Sequence, residues 1–125
     1  GKGKGTTRNV PLEWGATGEA FVEAFETWLV PAAKEFRPDF VLVSAGFDAH
    51  REDPLGGMRL EDADYGTLAR IVRDLAESLC GGRLVATLEG GYNLGALGRS
   101  VAEVLKVWLG READDGPPAP SPHRH

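Results

Sequence analysis

Two apolar runs decide the fold of this chain: FVLV at Phe40–Val43 and LVATL at Leu84–Leu88. Neither run alternates polar with apolar residues, so each is predicted to be a strand that is covered on both faces. Strands of this kind are typical of parallel sheets in α/β proteins, where helices lie against both faces of the sheet. The two runs therefore predict a parallel sheet with helices packed on it.

Three amphipathic segments supply the helices that such a sheet needs. Apolar residues recur at spacings of three and four in segments 17–36, 62–79 and 94–109. Each segment is followed by a residue that ends helices: Pro38, Gly81 and Gly110. The order helix, strand, helix, strand, helix, with short connections, predicts an α/β fold that forms part of a doubly wound parallel sheet with flanking helices.

The predicted sheet is small for an independent domain. Two strands, with an extended segment at Arg8–Leu12 as a third candidate, would leave long apolar edges. The chain also begins at Gly1 in a glycine-rich stretch, from which we expect that further residues precede it. We therefore expect the sheet to be incomplete as given. Either its strands pair with others in a larger domain, or the chain associates with a partner or with another copy as a homo-oligomer.

Composition excludes several classes of protein. The 125 residues make one domain or part of one. With 14 Lys and Arg against 19 Asp and Glu, the net charge is −5, so direct nucleic-acid binding is not expected. The single cysteine, Cys80, is expected to be a buried and inert thiol in a reducing compartment, for which we predict the cytoplasm. No apolar run approaches the roughly 20 residues that cross a bilayer, so no membrane association is expected.

The last fifteen residues differ in composition from the rest. Residues 111–125 hold four of the eight prolines and no recurring apolar positions, and they are predicted to be a disordered, Pro-rich tail. His123 and His125 are expected to be solvated and not metal ligands. The folded part is therefore predicted to be residues 1–110.

Chemistry is expected where the two strands end, because ligands of open α/β sheets gather outside the carboxyl ends of the strands. Asp48 follows the first strand and Tyr92 follows the second, so neighbouring strands would place both side chains in one crevice. A carboxylate there favours a bound cation, although a role in capping the local backbone is an equal alternative. Tyr92 lies between Gly91 and Asn93 and either donates to a developing oxyanion or covers a helix start.

Other polar residues carry weaker signals. His50 completes an Asp-x-His pattern with Asp48, but this spacing does not settle where the ring points, and we expect a structural or rim position. The acidic pairs Glu52–Asp53 and Glu61–Asp62 are predicted to be loop and helix-start charges. The glycine spacing fits neither the dinucleotide-binding pattern nor the P-loop, so nucleotide binding is weakly supported.

Three motifs, in this order and spacing, resemble the C-terminal third of a histone deacetylase domain. They are GKGKGTTRNVPL at 1–12, VSAGFDAHREDPLGG at 43–57 and LEGGYNL at 88–94. The resemblance covers residues 1–110 and is to class II and bacterial deacetylase-like amidohydrolases, a group that includes acetylpolyamine deacetylases. It implies an arginase-like α/β domain with an eight-stranded parallel sheet and a zinc ion held by two Asp and one His.

The resemblance also implies roles for individual residues. Asp48 matches a zinc ligand, and Tyr92 matches the tyrosine that hydrogen-bonds the substrate carbonyl and its tetrahedral intermediate. Gly90 and Gly91 match residues that shape the acyl-lysine tunnel, and Leu55 matches a tunnel-lining position. The implied reaction is zinc-dependent removal of acetyl groups from acetyl-lysine or acetylated polyamines, with a general-base histidine.

The same resemblance places the paired catalytic histidines and the Asp-x-His zinc motif before Gly1. We therefore expect this fragment to be inactive by itself, with K⁺ as a further cation of the complete domain. The alternative is a non-catalytic α/β interaction module derived from a deacetylase, which would dock through its exposed sheet edge.

Overall fold

The computed structural model describes residues 1–110 of the 125-residue chain. Four α-helices, a π-helical turn and two strands follow one another in this order: α1 (Gly18–Ala24), the π-turn (Phe25–Leu29), α2 (Val30–Phe36), β1 (Val41–Ala45), α3 (Asp62–Cys80), β2 (Leu84–Leu88) and α4 (Leu94–Trp108). This order confirms the predicted alternation of helices and strands. The predicted disordered tail, with His123 and His125, lies outside the described residues.

The first predicted helix is continuous but not regular. It was expected as one helix over residues 17–36, whereas α1 and α2 are joined through a π-helical turn at Phe25–Leu29. Pro31 lies at the start of α2 and has no backbone N–H to donate to the carbonyl of Thr27. The wider turn just before this proline accommodates the missing hydrogen bond, as is common where a helical ladder is interrupted.

β1 and β2 pair in parallel, as predicted. Their register runs from Val41 opposite Leu84 to Ala45 opposite Leu88. The first strand therefore begins and ends later than the predicted Phe40–Val43, because the ladder with β2 continues past the apolar run. The segment Arg8–Leu12 is not a strand within the part of the chain that the structure describes.

The core lies between one face of the sheet and the helices. Phe47, Leu60 and Tyr65 are its buried centre, and the rings of Phe47 and Tyr65 are 4.8 Å apart. Partly buried apolar residues from α1, β1, α3 and α4 pack against this centre: Phe21, Ala45, Leu68, Leu97, Val101 and Val104. This core lies directly below the loop that follows β1 and thus supports it.

The other face of the sheet is open, contrary to the expectation that helices cover both faces. Leu42 is 75% exposed, and Val85, its partner on β2, is 47% exposed. The reason is that α1, α3 and α4 all pack on the core side, so within residues 1–110 nothing covers the outward side chains. Apolar strands with one bare face are typical of a sheet that continues into further structure.

Two remaining expectations concern single features. Cys80 is buried and unpaired, as predicted for an inert thiol. No helix among the described residues is both long and apolar enough to cross a membrane.

Candidate active site

The loops that follow β1 and β2 leave the same edge of the sheet side by side. The strand pairing continues into them, since Glu89 N–H donates to the Ala45 carbonyl at 3.0 Å and Phe47 N–H donates to the Gly90 carbonyl at 2.8 Å. The predicted neighbourhood of the two loops is therefore present, and Gly90 lies beside the turn that carries Asp48.

Asp48 lies half-buried between two glycines. An added Cβ would be 2.8 Å from Asp48 Oδ2 at Gly90 and 3.0 Å from Oδ1 at Gly46, so both positions leave room for the carboxylate only because they lack side chains. Within residues 1–110 the Asp48 carboxylate makes no hydrogen bond or ion pair. The alternative role of capping the local backbone is therefore not what this side chain does. A partly desolvated carboxylate of this kind is costly unless a cation compensates it.

The buried ring of Tyr65 belongs to the core that supports this loop. Burial raises the pKa of Tyr65 well above its usual range, and the negative charge of Asp48 raises it further. Tyr65 therefore remains a neutral phenol at all physiological pH values, and it packs on Phe47 directly beside Asp48 in the chain.

His50 is a structural residue and not a candidate metal ligand. Its ring is almost fully buried, and Nδ1 accepts a hydrogen bond from Glu52 N–H at 3.1 Å. Because Nδ1 is thus an acceptor, a neutral ring carries its proton on Nε2, which donates to Asp62 Oδ1 at 2.7 Å. Both ring nitrogens are occupied, in agreement with the structural position expected for this histidine.

The same carboxylate extends the network to α4. Arg99 Nε donates to Asp62 Oδ2 at 2.9 Å, and Arg99 also donates to both oxygens of Glu52 at 3.0 and 3.1 Å. Burial opposes the charge of Asp62, but the hydrogen bonds from His50 and Arg99 outweigh it and hold the pKa of Asp62 below its usual value. This network ties the loop after β1 to α3 and α4.

Tyr92 is held by its backbone and leaves its ring accessible. Its N–H donates to Asp53 Oδ2 at 2.8 Å, while the side chain is 57% exposed and its hydroxyl makes no hydrogen bond within residues 1–110. Gly91 has φ +137°, and an added Cβ would approach Leu97 to 3.0 Å. Asn93 Oδ1 accepts from Ala96 N–H at 3.0 Å and so caps α4. The phenol is therefore free to donate to a ligand while its main chain is fixed.

Asp53 joins the two loops, whereas the sequence predicted only a loop charge at this position. In addition to Tyr92 N–H, its carboxylate accepts from Leu55 N–H at 2.8 Å and from Gly56 N–H at 3.1 Å. Burial opposes the charge of Asp53, but these backbone N–H groups hold its pKa below the usual value. The local half of this arrangement has a sequence signal, because Asp before Pro and Gly typically accepts from N–H groups two or three residues on. The hydrogen bond from Tyr92 N–H to Asp53 has no such sequence signal, because the two residues are 39 positions apart.

The described residues supply one candidate metal ligand and no complete site. Asp48 has the oxygen donor that zinc accepts, but residues 1–110 contain no group of three or more His, Cys, Asp or Glu side chains that could hold a metal. The fit to zinc is therefore that of a single ligand. Leu55, the predicted tunnel residue, lies on the loop between Asp53 and Gly56 with 68% of its surface exposed.

Relatives of the chain agree with the motifs. Histone deacetylase 14, chloroplastic, of Arabidopsis thaliana is 48% identical over 113 residues, which is 90% of this chain and 27% of the relative. A histone deacetylase-like amidohydrolase of Pseudomonas aeruginosa is 41% identical over 92 residues, or 74% of this chain and 24% of the relative. The chain thus spans about a quarter of the length of these relatives.

Solved structures give the same result for the fold. The crystal structure of the HDA15 HD domain matches with a TM-score of 0.71 and 42% identity, covering 78% of this chain and 27% of that one. The structure of the histone deacetylase Clr3 matches with a TM-score of 0.72 and 35% identity, covering 82% of this chain and 17% of that one. The arginase/deacetylase-like α/β fold is therefore confirmed. Residues 1–108 match the family described as histone deacetylase domain, and the chain belongs to this family.

Proposed function

We propose that this chain is the C-terminal part of the catalytic domain of a zinc-dependent deacetylase, with residues 1–110 as its portion of that domain. The reaction is hydrolysis of the amide of acetyl-lysine or of an acetylated polyamine, which yields acetate and a free amine. The observation that carries this proposal is the half-buried carboxylate of Asp48, which has no partner within residues 1–110 and lies beside the loop of Tyr92.

In this proposal Asp48 is one ligand of the zinc ion, and the other ligands come from the remainder of the complete domain. When bound, zinc supplies Lewis-acid polarisation of an amide carbonyl. K⁺ is proposed as a second cation of the complete domain on the family resemblance. Neither assignment involves His50, whose two ring nitrogens already have partners.

The proposed role of Tyr92 is to donate its hydroxyl to the carbonyl oxygen as negative charge develops there. A fixed donor of this kind typically contributes roughly 3 to 4 kcal/mol to lowering the barrier. The exposed hydroxyl without an internal partner suits this role. On the family resemblance, Gly90 and Gly91 are proposed to shape the tunnel for the acyl chain, and the exposed side chain of Leu55 offers an apolar contact at its entrance.

The open face of the sheet supports the view that this chain is part of a larger fold. Leu42 and Val85 are apolar strand residues of this face that lie exposed in residues 1–110. Further strands and helices of the same domain would bury them, in keeping with a chain that spans about a quarter of its relatives. We therefore propose that residues 1–110 alone lack deacetylase activity.

We propose the cytoplasm as the compartment, supported by the unpaired and buried thiol of Cys80. Two relatives are named chloroplastic, so fractionation of cells that express the complete protein is the direct test.

The test of the function compares the 125-residue chain with the complete gene product that contains it. We expect about one zinc per molecule and hydrolysis of acetyl-lysine peptides or acetylpolyamines in the complete protein only. Tyr92→Phe should lower kcat by about 100-fold or more. It should leave zinc content and thermal stability unchanged, because Tyr92 is not a proposed ligand.

Two outcomes would contradict the proposal. Turnover by the 125-residue chain alone would mean that the site residues are wrongly assigned. Absence of both zinc and turnover in the complete protein would favour a non-catalytic interaction module.

A further inference from the structure

We infer that Asp53 is a positioning residue that fixes the main chain of Tyr92 relative to the loop of Asp48. This inference rests on the proposed function, because it concerns how Tyr92 is held for amide hydrolysis. Asp53 itself is not proposed to touch the substrate or the metal.

The carboxylate of Asp53 divides its two oxygens between two loops. Oδ1 accepts from Leu55 N–H at 2.8 Å and from Gly56 N–H at 3.1 Å, which closes the turn within its own loop. Oδ2 accepts from Tyr92 N–H at 2.8 Å, across a sequence separation of 39 residues. This side chain therefore links Tyr92 to the loop that follows β1, in addition to the main-chain bond between the loops from Phe47 N–H to the Gly90 carbonyl.

The turn that Asp53 closes is also the turn that packs on Asp48. An added Cβ at Gly56 would lie only 1.5 Å from the Asp48 carbonyl oxygen, so the main chains of the two residues are in close contact there. The Asp53 turn is thus seated on the main chain of Asp48. Asp53 therefore holds Tyr92 against a loop whose own position does not depend on the Asp53 carboxylate alone.

The hydrogen bond from Tyr92 N–H to Asp53 is the direct tie between Tyr92 itself and the loop after β1. Asp53 is the only side chain within residues 1–110 that hydrogen-bonds to Tyr92. The preceding residue, Gly91, has φ +137°, a conformation that glycine adopts readily, and its main chain lies close to Leu97 and Phe47. A second bond between the loops, from Asn93 Nδ2 to the Glu52 carbonyl at 3.2 Å, holds the following residue and not Tyr92 itself.

The chemistry of the side chain explains why a carboxylate is needed. An ionised Asp is an acceptor at both oxygens, so it can serve N–H groups on two sides at once. An amide in its place has one acceptor oxygen and presents an NH₂ group to the other side, where it would face another donor. Because the local turn supplies two N–H groups and Tyr92 only one, the amide oxygen of Asp53→Asn should stay on the turn and its NH₂ group should face Tyr92 N–H.

The test uses two substitutions at Asp53 and one control in the complete protein. Asp53→Asn places the side-chain NH₂ group, a hydrogen-bond donor, against a main-chain N–H, which is also a donor. Asp53→Ser retains a hydroxyl that can close the local turn but is too short to reach Tyr92 N–H. Asp39→Asn is the matched control, because Asp39 is exposed and its carboxylate makes no hydrogen bond within residues 1–110.

The first readout is a double-mutant cycle with Tyr92→Phe. We expect each Asp53 variant to lower kcat by about 10-fold or more with KM and zinc content little changed, since misplacement of a catalytic group by roughly 1 Å can cost about 100-fold. If Asp53 acts through the hydroxyl of Tyr92, the double variants should be no slower than Tyr92→Phe alone. The inference would be overturned if the decreases in kcat from the Asp53 variants and from Tyr92→Phe multiplied in the double variants. It would also be overturned if the Asp53 variants kept the kcat of the parent protein.

The second readout does not require activity. Amide hydrogen exchange in residues 89–93 should be faster in Asp53→Asn and Asp53→Ser than in the parent protein and in Asp39→Asn. Unchanged exchange there would overturn the positioning role even in an active enzyme. A parent protein that hydrolyses no acetylated substrate would instead overturn the proposed function, while the exchange measurement would still decide whether Asp53 holds Tyr92.

Discussion

Replacing Gly90 with alanine is expected to displace the carboxylate of Asp48. An added Cβ at Gly90 would lie 2.8 Å from Asp48 Oδ2 and 3.0 Å from Asp48 Cγ. Because carbon atoms in contact are normally about 3.5 Å apart, the carboxylate has to move by about 0.5 Å. Gly90 does not have a positive φ, so the substitution adds steric pressure without backbone strain.

A shift of this size is large enough to affect function. Functional groups have to be held within about 0.5 Å of their productive positions, and a misplacement of roughly 1 Å can cost about 100-fold in rate. For Gly90→Ala in the complete protein we therefore expect kcat for an acetyl-lysine peptide to fall by about 10- to 100-fold. We also expect zinc to be lost more readily during dialysis against a weak chelator.

Gly98→Ala is the matched control for this experiment. Gly98 is an exposed residue of α4, and an added Cβ there meets nothing within 4 Å. This variant should retain the zinc content and kcat of the parent protein. If Gly90→Ala also retained both, the reasoning that places Asp48 at the metal would be refuted.

Three further predictions concern stability. Gly98→Ala should raise the free energy of unfolding by roughly 0.5 to 1 kcal/mol in a urea titration, because alanine favours the helix; a decrease would contradict this. Leu42→Glu should change the stability of the 125-residue chain by no more than about 0.5 kcal/mol, since Leu42 is 75% exposed there. In the complete protein it should destabilise strongly, and an equally small effect would show that this face stays open. The pKa of Asp53 is lowered by folding, so its contribution to stability is complete above its unfolded-state pKa of about 3.9 and is lost as pH falls through the lower folded value. Asp53→Asn should therefore lose less stability than the parent between pH 5 and pH 2, and parallel curves would argue against this.

The helices and strands were predictable because their signals are local. The bounds of helix α3 (Asp62–Cys80) and of β2 (Leu84–Leu88) agree to within one residue with those predicted from apolar spacing and from the glycine that ends the helix. The π-turn was not predicted, because apolar spacing hardly changes when one helical turn widens. Its cause, Pro31, is nevertheless present in the sequence.

The site was predictable only in part, for a geometric reason. Parallel neighbouring strands bring their carboxyl ends together, so the loops of Asp48 and Tyr92 had to meet if the strands paired. The bonds from Tyr92 to Asp53 and from Arg99 to Asp62 join residues 39 and 37 positions apart. No local pattern specifies such pairs, because they follow from how α4 and the loop after β1 pack together.

The acidic residues at this end of the sheet differ in one respect that composition does not reveal. Glu52, Asp53 and Asp62 all accept hydrogen bonds from neighbouring groups, and these bonds account for their places in the fold. Asp48 is half-buried like Asp53 and Asp62 but accepts none within residues 1–110. A carboxylate that folding places between two glycines without a partner makes no favourable contribution to this part of the fold. We therefore expect a compensating positive charge from outside these residues, which is the reason for proposing Asp48, and none of its acidic neighbours, as the metal ligand.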